Sequence, residues 1–145
     1  MHDVNAEIAK FVDYACQNDN FINHCGIKLD KVENGKITLS MEITDSLING
    51  YFIAHGGALA SLIDTCIGLT CFAYGKKVVT IDMTINYIKG VPITKTAYAT
   101  SNILHLGNQT IIGEALVTNE NGEIYAKGTA SFFIVGDNKQ LEQHW

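Results

Sequence analysis

NGYFIAHGGALASLIDTCIGLTCF (residues 49–72) is the longest strongly apolar run in the chain, yet it carries His55, the adjacent glycines Gly56 and Gly57, and one carboxylate, Asp64. Residues 57–74 read as a single helix that stops at Gly75 and runs about 27 Å at 1.5 Å per residue. Apolar side chains surround that helix on nearly every side. This is the pattern of a helix buried in a core rather than laid on a surface. The exception is a narrow small-or-polar face formed by Ser61, Asp64, Thr65 and Gly68.

Outside this run the periodicity changes from helical to alternating. GIKLDKVENGKITLSMEI contains Asn34-Gly35, a favoured two-residue hairpin turn. Ile37, Leu39, Met41 and Ile43 alternate there with Lys36, Thr38, Ser40 and Glu42, predicting strands over residues 26–33 and 36–43. Before them, Val4, Ile8, Phe11, Val12 and Ala15 recur at helical steps. They predict an amphipathic helix over residues 5–17, within about 4–18, with Asn5 as its cap. NDNF then breaks that pattern. After the long helix, VVTIDMTINY alternates. Val79, Ile81, Met83, Ile85 and Tyr87 are expected on one face, and Thr80, Asp82, Thr84 and Asn86 on the other. A turn near Gly107-Asn108 and a second Asn-Gly turn at Asn121-Gly122 separate three further strands, and Pro92 lies between strands. The order is helix, two strands, long buried helix, four strands. It predicts an α+β fold: an antiparallel sheet of about six strands wrapped around the central helix, in one domain over residues 1–145.

With 145 residues, 47% hydrophobic and 17% charged, the chain can bury a sizeable core, and disorder is excluded. The net charge of −5 argues against a nucleic-acid partner. Cys16, Cys25, Cys66 and Cys71 form no CxxC pair and read as free thiols of a reducing compartment. No metal site is expected. The first residues lack the basic start and continuous apolar core of a signal peptide. Ser61, Asp64 and Thr65 interrupt the apolar helix, so no membrane span is expected and the cytoplasm is the expected location.

Two features of the central run bear on chemistry. The first amide N–H groups of a helix lack internal partners, and glycines let a ligand approach them closely. Such a helix start suits an anion or a carbonyl oxygen gaining charge; a simple His-Gly-Gly turn is the plainer reading. A carboxylate among apolar residues is costly unless it is paired. Asp64 is therefore either a structural residue bonded to a hydroxyl or a base or nucleophile in a partly desolvated site. Geometry adds a constraint. Gly57 and Asp64 are about 10 Å apart along the helix axis, too far to serve one carbonyl from the same chain. Two chains facing each other, Gly56 of one opposite Asp64 of the other, would form two composite sites in a dimer.

The spacing of Asn49, His55-Gly56-Gly57 and Asp64 resembles that of hotdog-fold acyl-CoA thioesterases of the phenylacetate-pathway and thioesterase-superfamily-member type. NFINHCGIKL, VVTIDMTINYIKGV, HLGNQT and NGEIYAKGTASFFI extend the likeness over residues 20–134. The resemblance implies a hotdog fold, dimers that continue one sheet into the next, and pairing of dimers into homotetramers. It further implies that the Gly56 amide polarises the thioester carbonyl with help from Asn49, and that the partner's Asp64 is the base or nucleophile. Thr80 would orient the attacking water, and His55 would lie near the leaving sulfur. Gly57, Ser61, Thr65 and Lys89 are expected to line the substrate site. Two departures stand out. TASFFIV carries no late histidine, and Gly107-Asn108 stands where the family has Gly-Arg. Lys76, Lys77, Lys89 and Lys95 are the substitutes to consider for holding coenzyme A phosphates.

The function implied is hydrolysis of an acyl-CoA to a carboxylic acid and coenzyme A, with coenzyme A present only as part of the substrate and no separate cofactor. The alternative is a non-catalytic acyl-CoA or fatty-acyl sensing module on the same scaffold. The carboxylate favours chemistry, because binding alone does not need one. A hydratase is a third reading, and the His-to-Asp spacing speaks against it.

Overall fold

A computed structural model describes residues 3–141 and residue 145. Helix α1 (Val4–Gln17) and a short helix α2 (Asn20–Cys25) precede strands β1 (Ile27–Glu33) and β2 (Lys36–Glu42). The long helix α3 (Gly56–Ala73) follows, then strands β3 (Lys76–Tyr87), β4 (Thr96–Leu106), β5 (Thr110–Thr118) and β6 (Ile124–Asp137). The six strands form one antiparallel sheet in the order β1-β2-β4-β5-β6-β3. It curves around α3, which touches every strand from β2 to β6. This is the α+β hotdog arrangement the sequence predicts.

The caps correct the reading of the first two helices. Asp3, not Asn5, caps α1, its side chain accepting from Ala6 N at 3.2 Å. Asn5 lies inside the helix and reaches Asn34 and the Trp145 indole instead. The broken segment after α1 is itself a helical turn, capped by Asp19, which accepts from Ile22 N at 2.9 Å, and stopped by Gly26 at φ 70°.

Leu62, Ile63, Cys66 and Ile67 of α3 are fully buried beneath Leu39, Met41, Ile111 and Val117 of the sheet. The approach is close enough to require glycine. A Cβ on Gly113 would stand 2.5 Å from Ile67, and one on Gly128 2.6 Å from Ile63. All four cysteines are free and buried. Burial pushes the Cys16 thiol up to about 11 and Cys71 to about 12, so they behave as small apolar groups.

One irregularity matters for function. In β3, Thr80 pairs with Phe132 and Asp82 with Ser131, leaving Ile81 as an extra residue. Such a bulge reverses the facing of the residues on either side of it. The uninterrupted alternation read from the sequence puts Thr80 on the face opposite Met83 and Ile85. With the bulge, Thr80 reaches Asp64 on α3, while Met83 and Ile85 also pack against the core.

Candidate active site

The start of α3 is built by the loop before it. Asn49 Oδ1 accepts from the backbone N–H groups of Tyr51 at 2.9 Å and Ile53 at 3.4 Å. Asn49 N donates to Ile53 O at 2.9 Å. The loop closes with Phe52 in the left-handed region at φ 64°, an unusual conformation for a bulky residue. His55 N donates to Leu47 O and Ala54 N to Val91 O, tying the loop to its neighbours. Two backbone donors on Oδ1 fix which way the Asn49 amide points. Its Nδ2 hydrogens have no partner among the described residues.

His55 caps α3 through its own side chain: Gly57 N donates to His55 Nδ1 at 2.9 Å. In the neutral ring this places the proton on Nε2, which remains a donor. It also separates the roles of the two glycines. Gly57's amide is occupied by His55, whereas Gly56's N–H has no partner among the described residues. The donors left over at this end of the helix are thus Gly56 N–H, Asn49 Nδ2 and His55 Nε2. Tyr87, from the far end of β3, donates its hydroxyl to Gly56 O at 2.7 Å. A Cβ on Gly56 would meet the Tyr87 ring at 3.4 Å. Partial burial holds the Tyr87 phenol above its ordinary value, which keeps it a donor.

Asp64 lies eight residues further along α3. It is half-buried, and Thr80 Oγ1 donates to its Oδ1 at 2.6 Å. That bond fits both readings left open by the sequence, a structural carboxylate held by a hydroxyl and a base oriented by one. The group is nevertheless not sealed in the core. It stands in a cleft of about 410 Å³ walled by α3, β3 and the helical segment α1–α2, with Phe21, Phe72 and Phe132 among its walls. The second carboxylate oxygen has no protein donor among the described residues. Asp64 and Gly56 are about 12 Å apart along the helix axis. Within one chain, therefore, the carboxylate and the free amide cannot reach the same atom.

The remaining predicted residues divide. Thr65 lines the cleft beside Asp64. Ser61 Oγ donates back to Gly57 O at 2.8 Å, a bond within the helix. Lys89 is ion-paired with Glu123 on the surface, which raises the lysine and lowers the carboxyl. Lys76 and Lys77 border the cleft, Lys76 paired with Asp137 at 2.8 Å. Among the described residues no group of three or more His, Cys, Asp or Glu side chains is placed to hold a metal. Sequence reasoning misses two parts of the site. Tyr87 looks like the last core residue of its strand, and the walls from α2 require that short helix to be recognised. Asp19 followed by Gly26 was the available signal for α2.

The family model described as "Thioesterase superfamily" matches residues 52–126, half of the chain. The acyl-coenzyme A thioesterase PaaI of Escherichia coli is 28% identical over 110 residues, covering 76% of this chain and 79% of that protein. The solved structure of E. coli PaaI, from the phenylacetic acid degradation operon, superposes with a TM-score of 0.86 at 24% identity, over 94% of this chain and 99% of its own. The Streptococcus mutans protein smu.793, solved bound to acetyl CoA, gives a TM-score of 0.74 at 30% identity, over 78% of this chain and 91% of its own.

Proposed function

The chain belongs to the thioesterase superfamily, and we propose that it is an acyl-CoA thioesterase working at composite sites between two copies of itself. The observation that carries this is the Thr80–Asp64 hydrogen bond in a cleft whose walls include Phe21, Leu69, Phe72 and Phe132. A binding pocket for an acyl group gains nothing from a half-exposed carboxylate, whereas hydrolysis needs one. The likeness to E. coli PaaI and to a structure holding acetyl CoA supports the substrate class.

The chemistry follows from the free groups. Thr80 donates to Asp64 Oδ1, leaving Oδ2 to accept a proton from water. The oxygen of that water forms a bond to the thioester carbon, and the carbonyl π electrons move to oxygen. Gly56 N–H and Asn49 Nδ2 donate to the resulting oxyanion. When the tetrahedral centre collapses, the C–S bond breaks. The proton held by Asp64 then returns to the coenzyme A thiolate, with His55 Nε2–H as a second donor on that side. Alternatively Asp64 attacks the carbon itself and water opens the anhydride; both routes use the same donors. An oxyanion donor of this kind contributes about 3–4 kcal/mol to the barrier.

The second copy supplies what one chain lacks. Among the described residues, β3 is an edge strand with β6 as its one neighbour in the sheet. It exposes Val79, Ile81 and Tyr87, with Ile88 just beyond. A long apolar edge is a template for another strand, and antiparallel pairing of β3 with its copy would set two α3 helices in opposite directions. Gly56 of each then faces Asp64 of the other.

A free-thiol assay across a panel of acyl-CoAs tests the reading. Turnover with at least one of them is expected. Acyl-CoA that binds tightly yet releases no thiol would instead identify a sensing module.

A further inference from the structure

Among the described residues of one chain, nothing packed against Gly68 requires it to be glycine. It lies inside α3, where glycine is less favourable than alanine because the backbone loses more freedom. Gly113 and Gly128 abut the same helix, and each must lack a side chain to avoid an isoleucine. Gly68 differs: a Cβ there would meet only Phe132, at 3.8 Å, an ordinary contact. Its bare Cα is instead part of the cleft wall, one turn of helix beyond Asp64.

We infer that Gly68 sets the length of the acyl group, keeping open a channel that runs along α3 from Asp64 to Phe72 and seats an unbranched chain. The inference rests on the thioesterase reading for its substrate. Eight residues of helix give the channel about 12 Å, of which about 3 Å separates Asp64 from the carbonyl carbon; at about 1.2 Å per bond the rest takes roughly seven bonds, the length of an octanoyl chain. Leu69, Phe72 and Phe132 supply apolar walls, and Phe21 of α2, 55% exposed, forms the outer one. At the far end stand Lys76 and Lys77. Their apolar stems extend the wall, while their ammonium heads mark where an uncharged chain should end. The lining follows one face of α3 from Asp64 through Gly68 to Phe72, a lengthwise course that suits a straight chain better than a branched or aryl group.

The test measures kcat/KM for acetyl-, butanoyl-, octanoyl-, lauroyl- and phenylacetyl-CoA in the wild type, Gly68→Ala and Gly68→Leu. The wild type should peak at octanoyl-CoA. Gly68→Leu should lower the octanoyl-to-acetyl ratio by about 10- to 200-fold, the range a hydrophobic pocket commands. Gly68→Ala, expected to raise Tm, should lower the same ratio less, and it carries the test should Gly68→Leu not fold. An unchanged ratio in Gly68→Ala, or a wild-type peak at phenylacetyl-CoA, overturns the inference. If no substrate is hydrolysed, titration calorimetry separates the two ideas. Selective loss of octanoyl-CoA affinity, with coenzyme A affinity retained, keeps the role of Gly68 and sinks only the hydrolytic reading. Equal affinities in wild type and variants sink the role of Gly68.

Discussion

The first turn of α3 and the turn that carries Asp64 belong to one helix, and they are built in opposite ways. The first turn is tied down by hydrogen bonds and rich in donors. A loop locked by Asn49 and a His55 cap hold Gly56 N–H and Asn49 Nδ2 without partners among the described residues. The Asp64 turn offers an acceptor, half satisfied by Thr80 and half open to a cleft. Strand β3 anchors both, through Tyr87 at one end and Thr80 near the other. Donors without an acceptor and an acceptor without donors, about 12 Å apart, are two halves of a site rather than one. Preorganised groups of each kind are what an acyl transfer needs on either side of the carbonyl.

The sharpest way to break the contrast is to abolish the acceptor. Asp64→Asn can still accept from Thr80 through its amide oxygen, so Tm should stay near wild type. Removing the base should cost kcat about 10²- to 10⁴-fold. Turnover close to wild type in this variant would remove Asp64 from the chemistry.

The donor half comes next. Asn49→Asp keeps the oxygen that accepts from Tyr51 and Ile53 and deletes the Nδ2 donors. A loss of about 10²- to 10³-fold in kcat is expected with the thermal midpoint little changed. Asn49→Ala loses both functions. It should match that kinetic loss and also melt earlier, because the loop donors are left unpaired. If Asn49→Asp turns over normally, Asn49 serves the loop alone.

The anchors should matter less. Thr80→Ala is expected to cost roughly 10-fold in kcat, about the worth of one hydrogen bond to a charged group, with Thr80→Ser restoring most of it. Failure of the serine to rescue would point to packing rather than to the hydroxyl. Tyr87→Phe should have the smallest effect, about 2- to 10-fold in kcat with KM near wild type. A rise in KM alone would place Tyr87 in substrate binding instead of in holding Gly56.

Much of this is legible in the sequence because local rules and tertiary structure agree. The two Asn-Gly turns, with Gly35 and Gly122 at positive φ, sit where the alternating runs break. The all-round apolar pattern of α3 matches a helix enclosed by the sheet. The facing of Thr80 is not legible. No glycine or proline marks the bulge at Ile81, so simple alternation turns Thr80 away from the helix it bonds. The division of labour between Gly56 and Gly57 also escapes the sequence, since it depends on which amide His55 caps. Ser61 and Lys89 look like site residues by position, yet one is bonded within its helix and the other to Glu123.

The central claim is that each site draws its acceptor from one chain and its donors from another. Mixed dimers carrying Asp64→Asn in one subunit and Asn49→Asp in the other, isolated through two different tags, test it directly. Each parent homodimer should be nearly inactive. In the mixed dimer, one of the two sites combines an intact Asp64 with an intact Asn49, so activity should return to about half of wild type. Activity no higher than that of the parents would contradict the account and place the whole site within a single chain.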